Sequence, residues 1–577
     1  MNHLKSKLTL LIGGIQGEGV VSLGTNLMKT LSNLGYYTYG SRSFSSRIKG
    51  GNTTMTLSIG VEKQLSVEEH MDIILALDKE TIQLYSSKLH TNGILLYDSV
   101  ISVEDFNAES NRFIPLPITE IAKNFGSLIM KNTSALGFIG RLLGLDKSGL
   151  LTSLDEKYRA KGQEVVEKNL STLEEAYHIK IEGLDIQDFY LLHPKNPSSR
   201  AVMLGNEAIG FGALMAGCRF IPSYPITPAS EVMEYMGKVL PRYGGMMVQV
   251  EDEIAAVTMA IGASYGGIRS MTATSGPGLS LMMEGIGLAG NTETPLVIAD
   301  IQRVGPSTGL PTKNEQSDLF SLYYGGHGEY PSIILSPATV EDCFYDTIKA
   351  FNLADQYQCP VFVLSDLNLG LSPQTIDDLD YDQVIIDRGK IAKKEDLAVI
   401  ERGTFKRYAF TEDGVSPRSF PGMINGGHHV TGLEHNELGL PFEKPENRKK
   451  MMDKRLGKTA PLENEPSIDL YPFGNNNPTL FLTYGSAFGT VLEAIEQSEK
   501  KVDLGIIRRI RPLPMKQLTS LFERYDHIVV VESNYRKQLA SILKEELGHH
   551  DKIHSIHKYD GTNFTITEMV EKIGAWF

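Results

Sequence analysis

Three acids in a row, Glu251, Asp252 and Glu253, separate the strand-like run VQV from IAAVTMAIGAS, whose Ala and Gly suit a helix that presses closely on a neighbour. Acids in a first helical turn ordinarily serve to complement the macrodipole. A carboxylate at the start of a tightly packed, buried helix has a second use. It is partly desolvated, and a desolvated carboxyl group can hold or release a proton where ordinary acids cannot.

Other groups that could do chemistry flank these acids. In YPITP the hydroxyl of Thr227 sits between two prolines, which remove rotational freedom from the loop and suit it to positioning a substrate as well as to simple bracing. TATSGPG contains a turn, Ser275-Gly276-Pro277-Gly278, with backbone donors at its surface. Arg303 follows the strand-like LVIAD in a loop rich in Gly and Pro, where a guanidinium can hold a carboxylate through two parallel hydrogen bonds. Near the N-terminus, Gly13, Gly14, Gly17 and Gly19 follow a strand and open a helix. Such a loop lets backbone N–H groups approach a phosphate, or simply packs helix on strand. A nicotinamide site would want an acid at the end of the second strand. The corresponding stretch carries Arg42, Arg47 and Lys49 instead, which suits a phosphorylated ligand or a subunit contact.

The elements that must position these groups fall into α/β blocks. Strand-like and helical patterns alternate over 1–191, which predicts a parallel sheet covered by helices, and LLHPKNPSSR then reads as a linker. A second α/β block spans 200–370. The stretch 371–477 is polar and Gly-, Pro- and His-rich, and reads as a long connection that packs on the other domains or on a partner. A smaller α/β unit spans 478–577. The chain of 577 residues is thus multi-domain, with 41% hydrophobic and 22% charged residues. A net charge of −14 argues against a sequence-independent nucleic-acid binder. No run offers the roughly 18 apolar residues of a membrane span. The cysteines, Cys218, Cys343 and Cys359, are too few and too far apart for an iron–sulfur cluster of the chain's own or for a disulfide framework, and they point to the cytoplasm.

Taken together, GNEAIGFGALMAG, YPITPASEVMEYM, EDEIAAVTMAIGAS, ATSGPGLSLMMEGIG and RVGPSTGLPTKNEQSDL resemble the alpha subunit of 2-oxoacid:ferredoxin oxidoreductases. GGIQGEGV, SRIKGGNTT and NTSALGFIGRLLGL resemble that family's gamma domain. TYGSAFG, RRIRPLP and VVVESNY resemble its transketolase C-terminal-like domain. The resemblance covers nearly the whole chain. It implies a gamma-type domain, a thiamine pyrimidine-binding domain and a transketolase C-terminal-like domain, in the gamma–alpha fusion associated with 2-oxoglutarate and general 2-oxoacid members.

The resemblance also implies a reaction. A 2-oxoacid, 2-oxoglutarate before pyruvate, is oxidatively decarboxylated on thiamine diphosphate, with the acyl group passing to coenzyme A and electrons to ferredoxin. Of the three acids the family pattern selects Glu253, with Glu251 second, as the partner of the aminopyrimidine N1′, since Gly262 falls in the expected register. Thr227 and Arg303 match positions for the substrate oxo group and carboxylate. Tyr224, Pro225, Ile226, Ser275 and Gly276 fall in the cofactor-binding loops. Gly13, Gly17, Arg42, Arg47 and Lys49 become coenzyme A candidates, although SFSSRIKGG departs from the family's usual acidic form. No metal-anchoring GDG occurs, and YDGTN at Tyr559 lies too close to the C-terminus to replace it. The implied partner is therefore a beta subunit that brings the diphosphate site, Mg2+ and a 4Fe-4S cluster. A non-catalytic paralogue and a nicotinamide-dependent dehydrogenase are the competing classes.

Overall fold

Hydrophobic runs dictate three sheets, and in the computed structural model each sheet recruits strands from beyond its own stretch of sequence. The structure describes residues 5–44, 51–104, 106, 112–181, 189–195, 197–474 and 477–576. The first sheet has eight strands in the order Arg112–Leu116, Leu89–Asp98, Met71–Ala76, Lys7–Ile15, Asn52–Gly60, Tyr37–Phe44, Gln374–Ile376, Ala201–Met203. Its first four strands are parallel. The rest pair antiparallel, beginning with Lys7↔Gly60 through Ile15↔Asn52. The sheet is therefore mixed, where strand–helix alternation predicts a parallel one. Too few residues separate Phe44 from Asn52 for the crossover of a dozen or so that a parallel neighbour needs. The last two strands come from beyond residue 200, so the start of the second block and the start of the long connection complete the first sheet. Helices Val20–Asn33 and Lys131–Leu142 press Leu27 and Phe138 onto Leu10, Ile12 and Leu57 of this sheet, all buried.

The second sheet carries the chemistry-bearing loops. Phe220–Ser223 and Met246–Gln249 pair in parallel, and a bridge from Phe220 to Ser270 sets them beside Met271–Thr274. Leu296–Gln302, Pro360–Asp366 and Ile333–Leu335 continue the parallel array, and Arg509–Arg511 closes it antiparallel. That last strand is RIR of the RRIRPLP run, donated by the C-terminal block. The third sheet runs Ile468–Tyr471, Asp503–Ile507, Thr479–Thr483, His527–Glu532, Ile553–His557. Its Leu482 and Ile528 share a core with Ile298 and Phe362 of the second sheet.

The connection over 371–477 is anchored by buried charge. Its helix Pro445–Gly457 places Lys454 Nζ 2.5 and 2.7 Å from the carboxylate oxygens of Glu293, and Lys458 Nζ follows at 3.1 Å. Arg407 donates to the Glu293 backbone carbonyl at 2.6 Å. A second buried acid, Asp355, pairs with Arg269, Arg388 and Arg418 at 2.8, 2.9 and 2.5 Å. Runs such as KPENRKKMMDKR are therefore not solvated throughout. Long basic side chains reach inward to acids set beneath them.

Burial works to raise the Glu293 pKa, but Lys458, Lys454 and Arg407 overcome it and hold the carboxyl well below the usual range. Its stabilising effect is full above the ordinary glutamate pKa of about 4.3 and is lost as pH falls through the lower folded value. Glu293→Gln strands two buried ammonium groups. It is expected to cost about 3–5 kcal/mol near neutral pH, read as a lowered thermal unfolding midpoint, with the gap to wild type narrowing in strong acid.

Candidate active site

Parallel strands end on one edge, so the loops after Phe220–Ser223, Met246–Gln249, Met271–Thr274 and Leu296–Gln302 converge there. Crevices outside the carboxyl ends of such strands are where α/β sheets place ligand sites. These loops carry Tyr224–Pro228, Glu251–Glu253, Ser275–Gly278 and Arg303. Thr227–Pro228 and Gly305–Pro306 are cis peptide bonds.

The three adjacent acids take different roles. Asp252 is the N-cap of helix Glu253–Tyr265, its side chain accepting from Ala255 N–H at 2.8 Å. Glu251 is exposed. Glu253 turns inward and is 6% exposed. It packs against the first turn of helix Gly276–Asn291. A Cβ at Gly278 would come within 2.5 Å of Glu253 Oε1 and closer still to Thr274 Oγ1, so only glycine leaves room for the carboxylate. Ser275 is fully buried beside this turn.

The helix itself is not enclosed, contrary to the expectation from its small residues. Ile254 is 54% and Met259 38% exposed, and nothing lies within 4 Å of where a Gly262 side chain would start. Small residues permit a close approach, but within this chain only one face receives it. Leu281, on the adjoining helix, is bare as well.

Arg303 joins two loops. It is almost fully buried, and its Nη1 donates to the Thr227 carbonyl at 2.6 Å while Nη2 donates to the Thr308 carbonyl at 3.3 Å. Its Nε has no partner among the described residues. The Thr227 side chain is exposed, as are Tyr224 and Pro225, and Ile226 is half-buried. Arg303 borders a cavity of about 570 Å3 together with Gly276, Pro306, Ser307, Glu315 and Asp318. Burial lowers the Arg303 pKa against the opposing charge of Asp318. The guanidinium stays protonated across the neutral range all the same. Glu253 thus borders the Ser275–Gly278 turn from one side, while Arg303, bonded to the Thr227 carbonyl, lines the cavity beyond it.

Gln316 fastens this region to the third sheet. Its side chain donates to Asp366 at 3.0 Å and to the Tyr484 carbonyl at 3.1 Å and accepts from Ser533 N–H at 3.0 Å, while its backbone N–H donates to the Ser533 carbonyl. The stretches KNEQSDL and VVVESNY therefore meet in space. Sequence reasoning passed over Gln316, Asp318 and Asp300. None stands in a recognisable spacing, and only their burial marks them.

Three family models match consecutive parts of the chain. They are the thiamine-diphosphate-binding model of pyruvate flavodoxin/ferredoxin oxidoreductase over residues 211–454, a pyruvate ferredoxin/flavodoxin oxidoreductase model over 9–179, and core domain II of pyruvate:ferredoxin oxidoreductase over 478–569. A 2-oxoacid:ferredoxin oxidoreductase subunit alpha from a Sulfolobus species is 34% identical over 98% of this chain and 96% of its own. The chain belongs to the 2-oxoacid:ferredoxin oxidoreductase alpha-subunit family. A 2-oxoglutarate synthase subunit KorA from Methanocaldococcus jannaschii is 41% identical over 58% of this chain and 88% of its own. A 2-oxoglutarate:ferredoxin oxidoreductase from Magnetococcus marinus, solved with 2-oxoglutarate, coenzyme A and succinyl-CoA bound, superposes with TM-score 0.91. It shares 34% identity, and 99% of each chain is covered.

Within this family member the N-terminal glycines divide. Gly13 lies inside strand Lys7–Ile15 against Thr81, so it serves sheet packing and is not part of a ligand loop. Gly17 and Gly19 form the turn before helix Val20–Asn33, and at φ +84 Gly19 holds a conformation that other residues resist. Burial lowers the Arg42 pKa, against the charges of Glu231 and Glu207 of the second block. Arg47 and Lys49 lie outside the described residues. YDGTN closes a local turn in which Asp560 accepts from Thr562, and Asn563 donates to Asn368 at 2.8 Å. Among the described residues no group of three His, Cys, Asp or Glu is arranged to hold a metal ion. Among the described residues no helix is long and apolar enough to cross a membrane.

Gly278→Ala forces a methyl group into the Glu253 carboxylate. A displacement of about 1 Å can cost about 100-fold in rate. The variant is expected to keep its circular dichroism and to lose activity on that scale in the reconstituted oxidoreductase.

Proposed function

We propose that this chain is the alpha subunit of a thiamine-diphosphate-dependent oxidoreductase that converts 2-oxoglutarate, coenzyme A and oxidised ferredoxin to succinyl-CoA, CO2 and reduced ferredoxin. The observation that carries the reading is a buried glutamate, Glu253, cradled by Gly278 at the same strand-end edge as the Arg303–Thr227 pair. That donor set fits the pyrimidine half of thiamine diphosphate, whose bound form supplies a carbanion able to attack and decarboxylate a 2-oxoacid.

In this reading Glu253 holds a proton against N1′ of the aminopyrimidine. Tyr224, Pro225, Ile226, Ser275 and Gly276 wall that ring. Arg303 orients the substrate carboxylate, and Thr227 offers its exposed hydroxyl to the oxo group from a loop that prolines keep stiff. Gly17 and Arg42, with Arg47 and Lys49, serve coenzyme A. The units of function are 1–191, 200–370 and 478–577, held together by the connection over 371–477.

The beta subunit docks on the bare face of Ile254, Met259 and Gly262. It brings the diphosphate site, Mg2+ and a 4Fe-4S cluster through which ferredoxin is reduced. The three cysteines of this chain are buried and free, in keeping with a cytoplasmic place and with clusters held elsewhere. The names of the Magnetococcus and Methanocaldococcus relatives favour 2-oxoglutarate. That of the Sulfolobus relative, a 2-oxoacid enzyme at large, keeps pyruvate as the second reading.

Co-expressed with its beta subunit, the chain is expected to reduce methyl viologen with the highest kcat/KM on 2-oxoglutarate, and alone it should do nothing. A preference for pyruvate would replace the substrate, and no 2-oxoacid activity in the pair would leave a non-catalytic paralogue. Glu253→Gln in the pair should lower kcat by about 100- to 10,000-fold. Turnover unchanged by that substitution removes Glu253 from the role.

A further inference from the structure

Beneath Arg303 lie two carboxyl groups that the reaction as described leaves unused. Asp300 sits within strand Leu296–Gln302, fully buried, and among the described residues neither of its oxygens has a hydrogen-bond partner. Asp318 borders the same cavity as Arg303. Its backbone N–H donates to Gln302 Oε1 at 3.1 Å. Its carboxylate lies against Gly276, where a Cβ would stand 2.5 and 2.8 Å from the two oxygens, and its Oδ2 is shielded and unpartnered. Among the described residues neither carboxyl group forms an ion pair, so burial disfavours the charged form of each.

Arg303 shows the complementary feature. Its donors go to the carbonyls of Thr227 and Thr308, it forms no ion pair among the described residues, and Nε is left over. An ionised Asp318 would act as an internal anion and compete with any carboxylate that approaches this guanidinium. A protonated one leaves the positive charge uncompensated.

We propose that Asp318, held in its neutral form where it lies beside the cavity, is a positioning residue that keeps the charge of Arg303 free for the carboxylate of the substrate. The inference rests on the function proposed above and adds a condition to it: the anionic substrate binds beside the protonated acid and is repelled by the ionised one. The groups that face Asp318 are consistent with this. Burial chiefly raises its carboxyl, to about 7; the Gly276 N–H opposes this, the charge of Glu315 adds to it, and Arg303 opposes it. Burial, and then the charge of Asp318, push Asp300 well above the usual range. Tyr484 faces the pair from the third sheet, and burial together with nearby acids, Asp318 among them, keeps its hydroxyl protonated.

The sign follows from linkage. Substrate binding favours the protonated Asp318, so KM is flat below about pH 7 and rises about tenfold per pH unit above it, while kcat is spared. The test is KM and kcat for 2-oxoglutarate against pH, from 6 to 8.5, on the complete alpha–beta complex. Asp318→Asn is permanently neutral and nearly isosteric, and should hold the low KM across the range. A wild-type KM that stays flat, or an Asn variant that keeps the wild-type rise, overturns the proposal. Should the variant not fold, calorimetry of 2-oxoglutarate binding to the wild-type complex at pH 7.5, in buffers of different ionisation enthalpy, decides the matter. Close to one proton taken up per substrate supports the proposal, and none defeats it. A complex that neither binds nor oxidises any 2-oxoacid fails at the level of the function itself, and is thereby distinguished from a failure of the role given to Asp318.

Discussion

The guanidinium of Arg303, donating to the carbonyl of Thr227 from the next loop but one, joins segments 76 positions apart in the chain. That bond is possible because the strands before both loops run parallel and finish at the same edge of the sheet. Glu253 and the Ser275–Gly278 turn stand at that edge for the same reason. Parallel pairing requires a helix between successive strands, and the helices in turn bring their N-termini to the edge where the loops converge.

Holding that edge in place falls to regions that carry no chemistry. The C-terminal block contributes Arg509–Arg511 to the second sheet and grips Gln316 through Ser533 and Asn534. The connection contributes Gln374–Ile376 to the first sheet and pins its long helix to Glu293. Buried ion pairs add little net stability compared with apolar packing, but they break at a high cost when one partner is lost. Their effect here is to fix the course of a polar segment that has few apolar anchors of its own.

A protein that binds anionic substrates must keep positive charge available without leaving it in water. Arg303 is buried yet spends its donors on neutral carbonyls. Burial raises the carboxyl groups of Asp318 and Asp300, which disfavours their charged forms. Electrostatic design of this kind works by withholding a counter-ion, and so leaves no motif to read.

Sequence patterns alone determined that the chain is a multi-domain α/β protein of this family, since hydrophobic periodicity and glycine turns are local and motifs such as YPITP and ATSGPG are contiguous. They also brought forward Glu253, Thr227 and Arg303 as residues worth attention. Tertiary structure decided the rest. It sorted three adjacent acids into a cap, an exposed residue and a buried one, because burial depends on what packs against the helix start and not on spacing. It turned a sheet expected to be parallel into a mixed one, because pairing direction depends on the length of the connections. It left one face of the Ala- and Gly-rich helix bare, and it brought Asp300, Asp318 and Gln316 together from positions without a signature. Contacts between distant segments are the physical reason in every case, and no local pattern encodes them.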